Sequence, residues 1–462
     1  MSTFLRKFSV IFIFSAFFVF PSFPQNIQIK YSGNRGYTLV ERTNLRRYVN
    51  GKYSGLTSRE VRSFISAADG ENFVSKKQNP FAAKAQWYDG NFYVSEETLR
   101  DSKRAAAGIH KAIPSVFYID SDGHMKMFKD NGYPTFRSFP SYTSQFLKPG
   151  DSWKAEAERA VDPLNKGVFT RMPIQVLYTF SGEEKYKGED IYRIKAIWQT
   201  NYGFSNFNRD AKGDESLLKA LGGHKADIIV RKTTGEAILI VDNVDETFFY
   251  SDGQKINFKG TINLFTEYPP AVDRNKLMMT LQRVASVSPE KAPTSSEMKE
   301  SYASKISKSA GKNKSNGTKS SKTDNSNQFG KSGGTEPAKS NLLVEETSAG
   351  LRLSIRDIKF KADSAEILPG ESGRLDDVAR ALKAAPESQF LIEGHTASVG
   401  KPAGEQNLSV ERAQAVAMEL SKRGIPAEKF ICKGWGGNKP VADNSTAQGR
   451  AQNRRVEITV LE

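Results

Sequence analysis

Residues 288 to 340 set the strongest constraint on how this chain folds. Their middle reads KISKSAGKNKSNGTKSSKTDNSNQFGKSGG, mostly Ser, Lys, Asn and Gly with few large apolar side chains. Such a stretch cannot bury enough surface to offset the entropy lost on ordering. A disordered linker is therefore expected over 287–341, with folded units on its two sides. At roughly 100 to 200 residues per domain, the 462 residues leave room for two or three domains.

The formal charge of +15 comes partly from the lysines of this linker. A basic excess favours anionic surfaces such as lipid head groups or acidic polymers. Two readings stay open for these lysines, electrostatic contact with an anionic wall or membrane and a merely soluble spacer. No nucleic-acid partner is expected. The single cysteine, Cys432, excludes an intramolecular disulfide and a zinc site of the Cys-pair type. The four histidines, His110, His124, His224 and His395, form no i, i+4 pair or ligand cluster. Solvated or locally hydrogen-bonded imidazoles are expected, with no metal or cofactor.

At the N-terminus Arg6 and Lys7 precede the apolar run Phe8 to Phe20. The run is shorter than the roughly 20 residues of a spanning helix, and it matches the charged and apolar parts of a secretory signal. Residues 1–24 are therefore expected to direct export to the periplasm. Pro21 to Gln25 lack an A-x-A pattern, so an uncleaved anchor is the alternative. The run carries no acidic residue of the kind a proton-driven stator needs within the membrane.

Residues 25–144 are expected to form a mixed α/β domain. Val61, Phe64 and Ile65 would share one helical face within Ser58 to Ile65, and Ser95 would cap a helix running towards Lys111. A strand at Ser115 to Ile119 should turn at Asp122-Gly123 into His124 to Phe128. Asp120-Ser121-Asp122-Gly123 resembles the start of a calcium loop, but the later ligands are missing and a hairpin turn is the expectation. Residues 145–286 read as mostly antiparallel β, a sandwich or open barrel. Ile174, Val176, Tyr178 and Phe180 alternate, as do Tyr192, Ile194, Ala196 and Trp198, and Thr234-Gly235 and Asp252-Gly253 supply hairpin turns. Helical spacing at Leu277, Met278 and Leu281 predicts a helix over 273–286 that closes this domain.

Residues 342–462 alternate strands and helices. Leu351, Leu353 and Ile355 mark a strand that continues through Ile358 and Phe360 with shifted phase, as at a bulge. Leu375, Val378, Ala379 and Leu382 give an amphipathic helix, and Phe390 to Ile392 a short strand. Ser409 is the candidate N-cap of a second helix with Ala413, Val416, Ala417 and Leu420 buried, closed by Arg423 and Gly424. Phe430 to Lys433 and Val456 to Val460 supply the last strands. The expected unit is an α+β sandwich with helices on one face of a sheet.

GHTASVG at Gly394 to Gly400, LSVERAQAV at Leu408 to Val416, Gly434-Trp435-Gly436 and GRAQNRRVEI at Gly449 to Ile458 occur in that order. In this order they resemble signatures of the OmpA C-terminal, Pal and MotB family. The resemblance covers about a quarter of the chain, and ordered motifs are far more specific than one. It implies a groove at the start of the second helix that holds the diamino acid of a peptidoglycan stem peptide. In the family an Asp after the Gly-His-Thr turn takes the ammonium and the Arg of L-S-x-x-R-A takes a carboxylate. That Arg is Arg412, whose planar fork suits a carboxylate, and Thr396 belongs to the same groove. The Asp position is Ala397, so one charge contact is lost. Glu405 is the candidate replacement acid. Asn453-Arg454-Arg455 is read as mostly structural, His395 as a satisfied turn imidazole, and Cys432 as a buried inert thiol.

The expectation is a multidomain, non-enzymatic periplasmic protein, associated with the cell wall or outer membrane. It would bind peptidoglycan through residues 342–462, tether an N-terminal module and meet other envelope or outer-membrane proteins. The alternative is that Ala397 has turned the domain into a protein-interaction or scaffold module. No G-x-S-x-G elbow, H-E-x-x-H or P-loop suggests catalysis.

Overall fold

Period-two alternation governs most of this chain. The computed structural model describes residues 26–70, 73, 85–99, 102–105, 108–204, 210–268, 274–286, 342–347, 349–356 and 358–461. The expected signal segment and linker lie outside the described residues. Strands β1 (Thr38–Val49), β2 (Lys52–Ala68), β3 (Gln86–Leu99), β4 (Ser102–Ala105), β5 (His110–Lys111), β6 (Ile113–Ile119) and β7 (Met125–Lys129) come first. They are followed by β8 (Phe136–Arg137), β9 (Ser152–Val161), β10 (Thr170–Tyr186), β11 (Glu189–Tyr202), β12 (Leu217–Arg231), β13 (Ala237–Tyr250) and β14 (Lys255–Glu267).

All of these except β5 join one antiparallel sheet of 13 strands, ordered β7-β6-β3-β2-β1-β14-β13-β12-β11-β10-β9-β8 with β4 beside β3. Its two ends come together beyond β8, where the Ser138 hydroxyl accepts from Met125 N (3.0 Å) and donates to Met125 O (3.3 Å). The sheet is therefore nearly closed. Ile174, Val176, Tyr178 and Phe180 point inward, as their alternation requires, and meet Ile194, Trp198, Ile228 and Ile240 in a common core. Lys195, Gln199, Lys219, Lys225, Asp245 and Lys259 occupy exposed positions on the other face. A Lys or Arg facing hydrocarbon at mid-bilayer depth costs about 2–4 kcal/mol, so this outer face is built for water.

Two expectations for the N-terminal half need correction. The α/β region is absent among the described residues, because Ser58 to Ile65 lie in β2 and Ser95 in β3. The helical spacing of Val61, Phe64 and Ile65 has a different origin, a strand buried on both faces. Val61 and Ile65 enter the interior with Phe92 and Phe117, whereas Phe64 packs on the opposite side. The division at 144/145 is also crossed, since β1 pairs with β14 from Thr38↔Glu267 to Val49↔Ile256. The Asp122-Gly123 turn is a hairpin turn, with Asp120 Oδ1 accepting from Asp122 N and His124 N, both at 2.9 Å. Gly123 there has φ +81°, a conformation that favours glycine.

The C-terminal part contains β15 (Leu342–Thr347), β16 (Gly350–Arg356), β17 (Phe390–His395), β18 (Phe430–Gly434) and β19 (Arg455–Leu461). Its helices are α1 (Arg274–Ser286), α2 (Ser372–Leu382), α3 (Pro402–Lys422) and α4 (Ala447–Asn453). The sheet order is β15-β16-β19-β17-β18-β5, with β17 and β18 parallel. Leu353, Val378, Leu382, Val416, Leu420 and Ile458 share its core. Helix α1 forms as predicted but belongs here, since Leu277 is buried in this same core. It does not close the large sheet. Ile358 stays buried beyond the end of β16, and Phe360 bridges Ile367.

The second face of this smaller sheet rests on the large one. Leu391, Ile431 and Leu461 pack against Phe64, Tyr93 and Ala112. Around them Gln389 Nε2 donates to Tyr93 OH (2.8 Å), and Lys433 Nζ lies 3.2 Å from Asp89 Oδ1. Strand β5 adds to the free edge of β18, with Ala112 N donating to Cys432 O at 2.9 Å. His110 stacks on Tyr93, ring centroids 4.6 Å apart.

Candidate functional site

Gly394, next to last in β17, and Gly434, last in β18, both lie directly under α3. A Cβ on Gly394 would stand 2.0 Å from Ser409 O, and one on Gly434 would stand 2.3 Å from Ser409 Oγ. Only glycine permits that approach. Ser409 is thus no N-cap. It sits inside α3, whose first turn contains Pro402, and its hydroxyl donates to Gln406 O (2.7 Å) and accepts from Gly436 N (3.0 Å). The polar run from Pro402 to Asn407 reads as loop, which hid the true start. Thr396 N donates to Gly436 O at 2.9 Å, joining the turn after β17 to the turn after β18. The groove that the resemblance implies would lie between these turns, α3 and the segment leading into α2.

Arg412 is buried on α3. Its Nε donates to Ser364 O at 3.1 Å, and its guanidinium lies 4.7 Å from the Phe360 ring centroid. Burial pushes its pKa below the ordinary arginine value, the like charge of Arg454 pushes it further, and Asp363 opposes them. Arg412 thus feels one like charge and one opposing acid, and it forms no ion pair among the described residues. Sequence reasoning passed over Arg454 within Asn453-Arg454-Arg455. Its neighbours are indeed structural. Asn453 Oδ1 accepts from Val441 N (2.8 Å) and Ala442 N (3.0 Å), and Arg455 Nε bonds Glu457 Oε1 at 2.7 Å.

Glu405 takes a different part from the replacement acid expected of it. Its buried carboxylate accepts through Oε1 from Val399 N (2.6 Å) and Lys401 N (3.2 Å), stapling the loop before α3 to the first turn of that helix. Glu405→Ala is expected to lower the unfolding free energy by about 1–3 kcal/mol, the range for removing charge-assisted hydrogen bonds. Denaturant unfolding checks this, since an acid held for a ligand alone would leave stability unchanged. Ala397 is buried beside it, and the buried Thr396 hydroxyl has no hydrogen-bond partner among the described residues. His395 is buried, and burial holds its imidazole below the ordinary pKa. Its nearest acid, Glu457 Oε2, stands at 3.7 Å, too far for the satisfied turn histidine that was expected. Burial likewise pushes the Cys432 thiol up.

A family model described as the OmpA family matches residues 359–454. This part of the chain is an OmpA-family domain. The chain is 39% identical over 104 residues to the probable lipoprotein YiaD of Escherichia coli (strain K12), covering 22% of this chain and 48% of that protein. It is 40% identical over 103 residues to the peptidoglycan-binding protein ArfA of Mycobacterium tuberculosis (strain ATCC 25618 / H37Rv), covering 22% of this chain and 32% of that one. Among solved structures, the cell wall anchor of the T6SS from Pseudomonas aeruginosa is 34% identical, covering 26% of this chain and 87% of that chain, with a TM-score of 0.24. The chain thus spans about a third to a half of these two curated relatives. The large sheet precedes the matched OmpA-family residues, and Thr396, Ala397, Glu405 and Arg412 lie within them.

Proposed function

We propose that this chain is a non-enzymatic cell-envelope protein that binds the peptidoglycan stem peptide through its OmpA-family domain and so holds the large β-sheet body at the wall, on the periplasmic side. The observation that carries this reading is Arg412, buried without an ion-pair partner and with Arg454 beside it, a corner suited to a carboxylate. The peptidoglycan-binding name of the ArfA relative supports the same ligand.

The test is retention of the full chain on purified sacculi. Wild type is expected to be retained, Arg412→Ala to be lost, and Arg412→Lys to be weakened because an ammonium cannot present the fork. Ala397→Asp should bind about tenfold to a hundredfold tighter, since a charge-assisted contact to the ligand ammonium is worth about 1.5–3 kcal/mol. A second reading, a scaffold module meeting other envelope proteins, is favoured by Ala397 itself. Wild type passing through while Ala397→Asp is retained would establish that reading, and equal retention of wild type and Arg412→Ala would defeat the first.

A further inference from the structure

The interior of the large sheet is not filled from end to end. Between its two apolar clusters lies a cavity of about 330 Å³, at the small end of the size typical for ligand pockets. The registers Glu41↔Val61, Thr43↔Arg59 and Leu45↔Thr57 place these β1 and β2 side chains on one wall. Arg159 of β9 and Glu246 of β13 stand on another, and the turn 162–165, with Asn165 exposed, forms the rim.

The cavity is lined by three guanidiniums, Arg47, Arg59 and Arg159, and by three acids, Glu41, Asp162 and Glu246. Arg159 Nη1 donates to both oxygens of Glu246 at 2.9 Å and meets His224 Nε2 at 3.0 Å, but its buried Nε has no partner. Arg59 is placed over the Tyr133 ring at 6.0 Å, and its buried Nε has no partner either. Glu41 accepts from the Thr135 hydroxyl; burial raises its carboxyl pKa, while that hydrogen bond and the charges of Arg59 and Arg159 oppose the rise. A buried donor left unmet costs about 1–3 kcal/mol, and of the guanidiniums lining this space Arg59 has no ion-pair partner among the described residues, so it calls for an acceptor. Leu45, Phe248 and Phe258 supply an apolar wall.

We propose that this cavity binds a small amphiphile with a carboxylate head. The head accepts from Arg59, and the chain lies against Leu45, Phe248 and Phe258. Arg59 sets specificity for an anionic head, because Arg159 is already engaged by Glu246. This site is independent of the wall-binding groove.

Calorimetric titration of the full chain with dodecanoate, dodecyl phosphate and dodecanol tests the assignment. Dodecanoate is expected to bind once per chain with Kd below about 1 mM, and dodecanol at least tenfold more weakly. Arg59→Gln should weaken dodecanoate at least tenfold, and Leu45→Trp, which fills the space, should abolish binding while the circular dichroism spectrum is kept. Equal binding of dodecanol, undiminished binding by folded Arg59→Gln, or no binding of dodecanoate would each overturn the proposal. Binding of dodecyl phosphate alone would overturn the carboxylate assignment. Should Arg59→Gln fail to fold, the comparison of dodecanoate with dodecanol on wild type decides.

Discussion

Glu246→Ala is expected to lower the unfolding free energy by about 3–5 kcal/mol, the cost of breaking a buried ion pair from one side. Glu246 is only 2% exposed. Its carboxylate takes two hydrogen bonds from Arg159 (2.9 Å each) and one from the Thr200 hydroxyl, with His224 Nε2 at 3.5 Å. The other His224 nitrogen meets Asp242 Oδ2 at 2.7 Å. Removing Glu246 leaves the Arg159 charge buried without its acid. Burial alone would raise the Glu246 pKa, but Arg159 and His224 outweigh it and hold the carboxyl at about 2.

A depressed carboxyl pKa contributes stability that is full above the unfolded value of about 4.5 and fades as pH falls towards 2. Denaturant unfolding should therefore show wild type losing stability across that window, with Glu246→Gln flatter through it and intermediate in stability at pH 7. A loss below about 1 kcal/mol for Glu246→Ala would mean the network is not held as described.

Phe64→Asp should separate the OmpA-family domain from the large sheet. Phe64 is 1% exposed and points away from the interior of its own sheet, onto Leu391, Ile431 and Leu461. The substitution forfeits about 1.5–3 kcal/mol of apolar burial and adds the penalty of several kcal/mol for an unpaired buried carboxylate. That cost falls on the docking, because Val61, Ile65 and Phe92 hold the interior without Phe64 and the core beneath α2 and α3 does not include Ile431. Small-angle scattering should show a larger radius of gyration, while retention on sacculi follows wild type because the groove is elsewhere. An unchanged radius would show that this cluster does not hold the two parts together.

That docking changes what a linker means here. A spacer over 287–341 predicts two bodies moving apart, yet α1, which precedes it, packs into the same core as α2 and α3. The large sheet and the domain also share a hydrogen-bonded edge through β5 and β18. In the proposed function, the β-body is then carried against the wall-binding domain.

Local pattern accounts for much of the fold. Ile174 to Phe180 and Tyr192 to Trp198 alternate because one face of a strand is buried, and that rule acts over neighbouring residues. Thr234-Gly235 and Asp252-Gly253 turn their chains because glycine takes positive φ there, +67° and +82°. The ordered motifs from Gly394 to Ile458 identified the domain, because Gly394 and Gly434 serve a close contact that only their residue type allows.

Tertiary contacts decided the rest. Val61, Phe64 and Ile65 show helical spacing in a strand because a second sheet covers its outer face, and nothing within ten residues reveals that sheet. Arg412 was legible as the motif arginine and Glu405 only as a candidate replacement acid, but the path of the loop from Val399 to Lys401 is what engages Glu405 Oε1 with backbone, while Arg412 forms no ion pair among the described residues. Arg159, His224 and Glu246 sit on three strands, with Arg159 65 and 87 positions before its two partners. By itself the sequence determined which residues face inward along strands such as β10 and β11 and which family the C-terminal domain belongs to. Which inward charges meet, and which surface covers another, depended on strand order and register, because these join residues whose separation leaves no periodic trace.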